Sequence, residues 1–233
     1  MQVDQSHERD QGSGGTGRSM GVEPGSDERA ENWRRLCSEA GSRYVGCKLS
    51  TFAISANHDV ATRQAQVIDA VHEYCATIEE RCKAREGLVL YGPVGTGKDH
   101  LAFAVARAIV MQGGYVRWFR GQTFFGDLRD AMTEDRLEKR TLSELTWPQW
   151  IVISDPLPPA GNLTAYQTSM LFRVIDERYS AGRPTIVTIN IADDAEADAR
   201  LGAPVWDRMC HGAWKMQCKW GTHRQPAKVI SFK

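Results

Sequence analysis

The sequence predicts an α/β protein, a three-layer sandwich built on a parallel central sheet, with no substantial lid domain. Three observations carry that expectation. Short apolar runs of strand length alternate with longer stretches of helical periodicity, the pattern of a parallel sheet covered on both faces. One such run, Leu88-Val89-Leu90-Tyr91, leads directly into Gly92-Pro93-Val94-Gly95-Thr96-Gly97-Lys98, which matches the phosphate loop G-x-x-x-x-G-K. Behind the loop, Leu101, Val105 and Ile109 recur at every fourth residue, as on one face of a helix. Strand, glycine loop and helix in that order are the context the motif requires, and they imply a P-loop NTPase that binds a nucleoside triphosphate. The competing reading is a glycine-rich turn with a stray lysine.

The elements follow in order. Residues 1–28 hold Gln, Gly, Ser, Asp and Glu with almost nothing apolar, so a disordered tail is expected. Residues 29–56 read as a helical lead-in and connector. A short helix runs from about Asp27 to Ala40 with Trp33 and Leu36, followed by a connecting segment from Tyr44 to Ile54. The nucleotide-binding core is expected over residues 57–233. Asn57 and Asp59 offer caps for one long helix with apolar residues at Val67, Ile68, Val71, Tyr74, Cys75, Ile78 and Cys82. Gly113-Gly114 stops the loop helix, Tyr115–Phe119 is a second strand, and Gln122–Met132 a helix using Phe124, Phe125, Leu128 and Met132. Residues 133–146 are polar and charged. Trp150–Ile153 is a third buried strand, Leu163–Tyr179 a helix, and Gly182-Arg183-Pro184 a turn into a fourth strand, Thr185–Ile189.

Bulk composition narrows the function classes. The chain has 233 residues, 42% hydrophobic and 25% charged, ordinary values for one globular α/β domain with short appendages. Its formal net charge is zero, so no global field argues for nucleic acid. No run approaches the length that spans a bilayer, and the polar first residues predict no secretory signal. The cysteines Cys37, Cys47, Cys75, Cys82, Cys210 and Cys218 form no CxxC pair, so a reduced, cytoplasmic setting is expected. Cys210, His211, Cys218 and His223 fit none of the zinc spacings.

A phosphate loop needs partners before it can hydrolyse anything. The glycines turn backbone N–H groups around an anion, the helix N-terminus adds partial positive charge, and Lys98 reaches the outer phosphates. The residue after the lysine is normally Ser or Thr, whose hydroxyl ligates Mg²⁺; here it is Asp99. A carboxylate is a good ligand for Mg²⁺, but it also brings negative charge close to the phosphates. A second acid is expected at the end of a buried strand, and Ile151-Val152-Ile153-Ser154-Asp155 supplies Asp155, followed by Pro156. A turn-forming Asp before Pro is the alternative there. Asn190, at the end of the fourth strand, is a candidate to bond the γ-phosphate or the attacking water.

Gly92-Pro93-Val94-Gly95-Thr96-Gly97-Lys98-Asp99-His100-Leu101-Ala102 resembles the G-x-x-G-T-G-K-x-H-L-A segment of the DnaC/IstB-like AAA+ ATPases, which are helicase loaders and transposition helpers. The strand ending in Asp155, Arg183-Pro184-Thr185, Leu201-Gly202 and Val205-Trp206-Asp207-Arg208-Met209 resemble the same family in the same order, over about residues 44–224. The resemblance implies an AAA+ fold and ATP with Mg²⁺ as ligands. It implies nucleotide contacts from Gly92, Pro93, Val94, Gly95, Thr96, Gly97, Lys98, Asp99 and His100, and metal contacts from Asp99 and Asp155. It puts Asn190 at the sensor position and Arg208 at the arginine finger, acting on ATP bound by a neighbouring subunit. Two features depart from the family: one acid stands where two are usual, and the region before the core is short.

From residue 200 onward Arg200, Arg208, Lys215, Lys219, Arg224, Lys228 and Lys233 face one acid, Asp207, with Trp206, Trp214 and Trp220 interleaved. Basic charge with aromatic platforms suits single-stranded DNA. Trp214, Met216, Cys218 and Trp220 also alternate with polar residues as in a half-buried strand, which would put the tryptophans in the core. The resemblance implies an ATP-binding DNA-replication accessory protein of the helicase-loader kind, forming a homo-oligomer with ATP on single-stranded DNA, with a replicative helicase or transposase as partner. A transposition helper of the IstB type, or a nucleotide-binding scaffold with little turnover, are the alternatives. Hydrolysis of ATP is expected to be weak.

Overall fold

In the computed structural model, residues 25–131 and 135–224 are described. Most of the expected tail, Met132 and the basic residues Lys228 and Lys233 lie outside them. Helix α1 spans Ser26–Ala40, so it begins inside the stretch expected to be tail. Asp27 and Glu28 sit in its first turn, where an acid favours a helix. The helix buries Leu36 and Ala40. Glu39 anchors it to the sheet, pairing with Arg117 and accepting from the Trp118 N–H at 2.8 Å.

The connector contains two short 3₁₀ turns, Ser42–Tyr44 and Leu49–Thr51. The single long helix expected next is two helices, α2 (His58–Ala76) and α3 (Ile78–Ala84). Asn57 caps α2 by accepting from the Val60 N–H at 3.1 Å. The break falls at Thr77, whose hydroxyl donates to the Glu73 carbonyl at 2.9 Å and accepts from Arg81 at 3.1 Å. Side-chain bonding of this kind offers the backbone an alternative to the helical ladder. Apolar periodicity continued across the joint because both helices pack the same face, so it gave no sign of the break.

β1 (Leu88–Tyr91), α4 (Lys98–Met111), β2 (Val116–Arg120) and α5 (Gly121–Ala131) follow close to expectation. α6 (Asp135–Thr146) was not expected; it occupies the charged stretch and buries Leu142 and Leu145. Then come β3 (Trp150–Ser154), α7 (Ala165–Ser180), β4 (Thr185–Ile189), α8 (Asp194–Leu201), α9 (Ala203–Cys210) and β5 (Trp214–Gln217). The strands form one five-stranded sheet in the order β2-β3-β4-β1-β5, with every neighbouring pair parallel.

Alternate residues of each strand feed two separate cores. Leu88, Leu90, Val116, Trp118, Val152 and Ile186 pack under α1, α2 and α4. Val89, Ile151, Ile153, Val187 and Ile189 pack under α5 to α9. This is the three-layer sandwich. Trp206 and Trp220 are core residues and Trp214 is half-buried, so the tryptophans belong to the packing.

At the amino end of the sheet, Arg178 of α7 is fully buried and pairs with no carboxylate among the described residues. Its guanidinium donates to Thr185 Oγ1 (2.9 Å) and to the carbonyls of Leu145 (3.1 Å), Pro148 (2.9 Å) and Pro184 (2.7 Å), tying α7, the β3 approach and β4 together. Burial, followed by the charge of Arg183, lowers its pKa to about 9. Arg178→Ala strands these acceptors, and it is expected to cost about 1–3 kcal/mol of stability, read as a lower urea midpoint. A loss below about 1 kcal/mol, the scale of an ordinary solvated hydrogen bond, would contradict this role.

Candidate nucleotide-binding site

β1 and β4 align Tyr91 with Ile189, and β3 and β4 align Ser154 with Thr188. Gly92, Asp155 and Asn190 therefore emerge side by side at the carboxyl ends of three adjacent strands. That is where open α/β sheets bind their ligands. The phosphate loop closes into the first turn of α4, with Gly92 at φ 141° and Gly95 at φ 84°, conformations that favour glycine. A Cβ on Gly92 would stand 2.4 Å from the Cys218 carbonyl oxygen. The chain after β5 thus lies along the loop: the His223 N–H donates to the Gly95 carbonyl at 2.8 Å, and Trp220 Nε1 to the Thr96 carbonyl at 2.9 Å.

Lys98 Nζ is buried and donates to the carbonyls of Gly92 (2.8 Å) and Pro93 (2.7 Å). Burial lowers its pKa, so an anion beside it favours the charged form. The Thr96 hydroxyl turns inward to the Pro93 carbonyl at 3.0 Å, while Val94 is exposed. His100, included in the expected nucleotide set, is engaged elsewhere. Its Nε2 lies 2.7 Å from the Lys48 carbonyl, and its ring packs edge-on against Phe52, both on the connector.

Asp99 is a hub of hydroxyl contacts. Its Oδ1 accepts from Thr188 Oγ1 at 2.6 Å and Ser154 Oγ at 3.0 Å, and its Oδ2 accepts from Tyr44 OH at 3.0 Å. Burial, then the Asp99 charge, pushes the Tyr44 phenol up to about 12. Tyr44, Ser154 and Thr188 were not singled out as site residues. They meet Asp99 from 55 and 89 residues away, where no local pattern connects them.

Asp155 has a left-handed backbone, φ 51°, uncommon outside glycine, and it precedes Pro156 as a turn residue would. Asn190 Nδ2 donates to its Oδ2, while its Oδ1 is buried without a hydrogen-bond partner among the described residues. Burial and the Asp99 charge raise the Asp155 pKa, against Lys98 and Asn190, which lower it. Arg200 holds this corner by donating to the carbonyls of Asn190 (3.2 Å), Gly161 (3.0 Å) and Pro158 (2.9 Å).

The residues fit a magnesium-bound triphosphate. The loop's glycines, the N-terminus of the 14-residue α4 and Lys98 suit the phosphates. The unpartnered Asp155 oxygen, two carboxylates and nearby hydroxyls suit a hard divalent cation. Arg208 is elsewhere. It pairs with Asp176 at 3.1 Å, lies over Tyr179 at 4.6 Å, and lines a cavity with Gly87 and Thr185, at the starts of β1 and β4.

Residues 55–231 match the family model described as IstB-like ATP binding protein. The chain belongs to that family. Among its relatives, a putative ATP-binding protein of a Mycobacterium tuberculosis insertion sequence is 33% identical over 109 residues, covering 47% of this chain and 42% of that protein. The replicative helicase loader DnaC of Buchnera aphidicola is 24% identical over 210 residues, covering 87% and 80%. A crystal structure of the DnaC helicase loader superposes with a TM-score of 0.66 at 22% identity, over 76% of this chain and 99% of that one. This family member spans about half the length of the insertion-sequence proteins it matches. Among the described residues, no helix is long and apolar enough to cross a membrane.

Replacing Asp99 isolates its charge. Asp99→Asn keeps the shape and one acceptor oxygen, enough for Thr188 and Ser154, while its amide N–H would face the Tyr44 hydroxyl as a donor. ATP affinity without metal should rise about tenfold, because one negative charge is withdrawn from beside the phosphates. The gain on adding Mg²⁺ should shrink. Equal metal dependence in both proteins would leave Asp99 a structural role alone.

Proposed function

We propose that this protein is an ATP-controlled accessory factor of DNA replication, of the helicase-loader kind. ATP held at the phosphate loop of one copy is completed by Arg208 of the next, so that nucleotide orders an oligomer on single-stranded DNA. Asp155 and Asp99 would hold magnesium, which would supply positive charge to offset the negative charge of the phosphates. Asn190 holds Asp155 in place, and Lys98 leaves its loop carbonyls for the phosphates. Turnover is slow, because Ser154 and Pro156 flank Asp155 and a second acid is missing from that strand end.

One observation carries this reading. Arg208 stands at the amino end of the sheet and the phosphate loop at the carboxyl end, separated by the four residues of β1. At about 3.3 Å per residue, that gap of strand is too long for Arg208 to serve the ATP of its own chain. Sedimentation with and without ATP tests the assembly: a larger species with ATP supports the reading, and an unchanged monomer defeats it.

The insertion-sequence relative supports a second reading, a transposition helper of the IstB type acting with a transposase on duplex DNA. Its test is preference for duplex over single-stranded DNA in the same assay. For DNA contact, Lys219, just after β5, is a better candidate than Lys215 within it. Lys215 is already paired with Asp194 at 2.8 Å and covers Tyr91 and Trp206, whereas Lys219 is exposed. Lys219→Ala should reduce the slope of log affinity against log salt for single strands by about 0.7, the value of one phosphate contact. An unchanged slope removes Lys219 from the DNA surface.

A further inference from the structure

The amino end of the sheet carries more positive charge than Arg208 alone supplies. The cavity there has a volume of about 340 Å³, and Arg85, Arg183, Arg208 and His211 all line it. No carboxylate is among its described lining residues. Arg178, buried without a carboxylate partner, stands next to Arg183 and adds to the same field.

The backbone is shaped to bring Arg85 there. Arg85 ends α3 in the left-handed conformation, φ 63°, a position that favours glycine. Its side chain crosses Gly182, where an added Cβ would stand 2.8 Å from Arg85 Nε. The Arg85 guanidinium makes no hydrogen bond or ion pair among the described residues. Arg183 lies against the exposed Trp147 ring at 5.6 Å, and its neighbour Gly182 turns the chain into the cavity wall. Asp176 faces Arg208 from α7.

Three arginines lining one cavity match an anion with several oxygens, because a guanidinium presents a planar fork of donors. Arg183 would turn from the Thr146 carbonyl, to which it donates, to join Arg85 there. We propose that this cavity receives a polyphosphate, with Arg85 and Arg183 joining Arg208 around it. The ligand is the triphosphate of ATP held by a second copy of the chain, or free polyphosphate; the first source rests on the ATP-linked assembly proposed above.

Two measurements on the full chain separate the sources. In the first, Lys98→Ala disables the phosphate loop, and tripolyphosphate is titrated calorimetrically. Saturable, salt-sensitive binding that falls at least tenfold on adding Arg85→Asn, and is kept by Arg85→Lys, supports free polyphosphate at the cavity. Asparagine is chosen because it tolerates the left-handed backbone. In the second, Arg85→Asn alone is followed by sedimentation with ATP. Assembly weakened about tenfold, with the affinity of the separate monomer for a fluorescent ATP analogue unchanged, identifies the neighbour's nucleotide as the ligand. A wild type that never assembles with ATP sinks the assembly reading only, and the tripolyphosphate titration then decides the cavity. The proposal is overturned if Arg85→Asn changes neither titration nor assembly.

Discussion

Lys98→Ala should lower ATP affinity by a hundredfold or more while the protein stays folded. The ammonium is the one side-chain charge inside the phosphate loop, and a charge-assisted bond to phosphate is worth about 3 kcal/mol, or about two orders of magnitude in affinity. The fold loses little in exchange. Lys98 contacts the Gly92 and Pro93 carbonyls and the Thr96 hydroxyl, and Thr96 already has its own bond to Pro93. Equilibrium titration with a fluorescent ATP analogue, alongside thermal unfolding, gives both numbers. Unchanged affinity in a folded variant would take Lys98 out of the site.

Arg208→Ala should leave ATP binding by the monomer nearly intact and reduce hydrolysis about a thousandfold, the scale on which such an arginine acts in phosphoryl transfer. The residue is free to move to a neighbour at small cost. Its pairing with Asp176 is a partly exposed ion pair, worth about 0–1 kcal/mol, and its stacking on Tyr179 holds the guanidinium near the surface. Analogue binding by dilute protein checks the first half of the expectation, and phosphate release at saturating ATP the second. A variant that loses monomer affinity as strongly as turnover would place Arg208 in the site of its own chain.

Local pattern made the sheet and the loop legible in the sequence. The strand cores, the glycine loop and the Leu101–Ile109 stripe are each set by residues within one turn or one strand of each other, and β1, β4 and α4 fall where periodicity put them. α6 was hidden because its charged surface outweighs the two leucines, Leu142 and Leu145, that face the core. The α2–α3 break depended on Thr77 choosing a side-chain bond over the ladder, a choice periodicity does not record. At the site, Asp155 and Asn190 were readable as strand-end polar residues. The hydroxyls around Asp99 were not, since only the folded register brings Tyr44, Ser154 and Thr188 to one carboxylate. Arg178 and the unpaired Arg85 were equally invisible, because an arginine in sequence carries no mark of whether it meets an acid.

The most direct test of the central claim, that ATP bound by one copy is completed by another, is phosphate release from a mixture of two inactive proteins. Lys98→Ala should bind ATP too weakly to load its own site but still offers Arg208; Arg208→Ala should bind ATP but lacks the proposed finger. Mixed in equal amounts at concentrations that support assembly, they should recover a measurable fraction of wild-type hydrolysis, because some sites pair an intact loop with an intact arginine. Activity equal to the sum of the two separate proteins, in mixtures shown by sedimentation to co-assemble, would contradict the account.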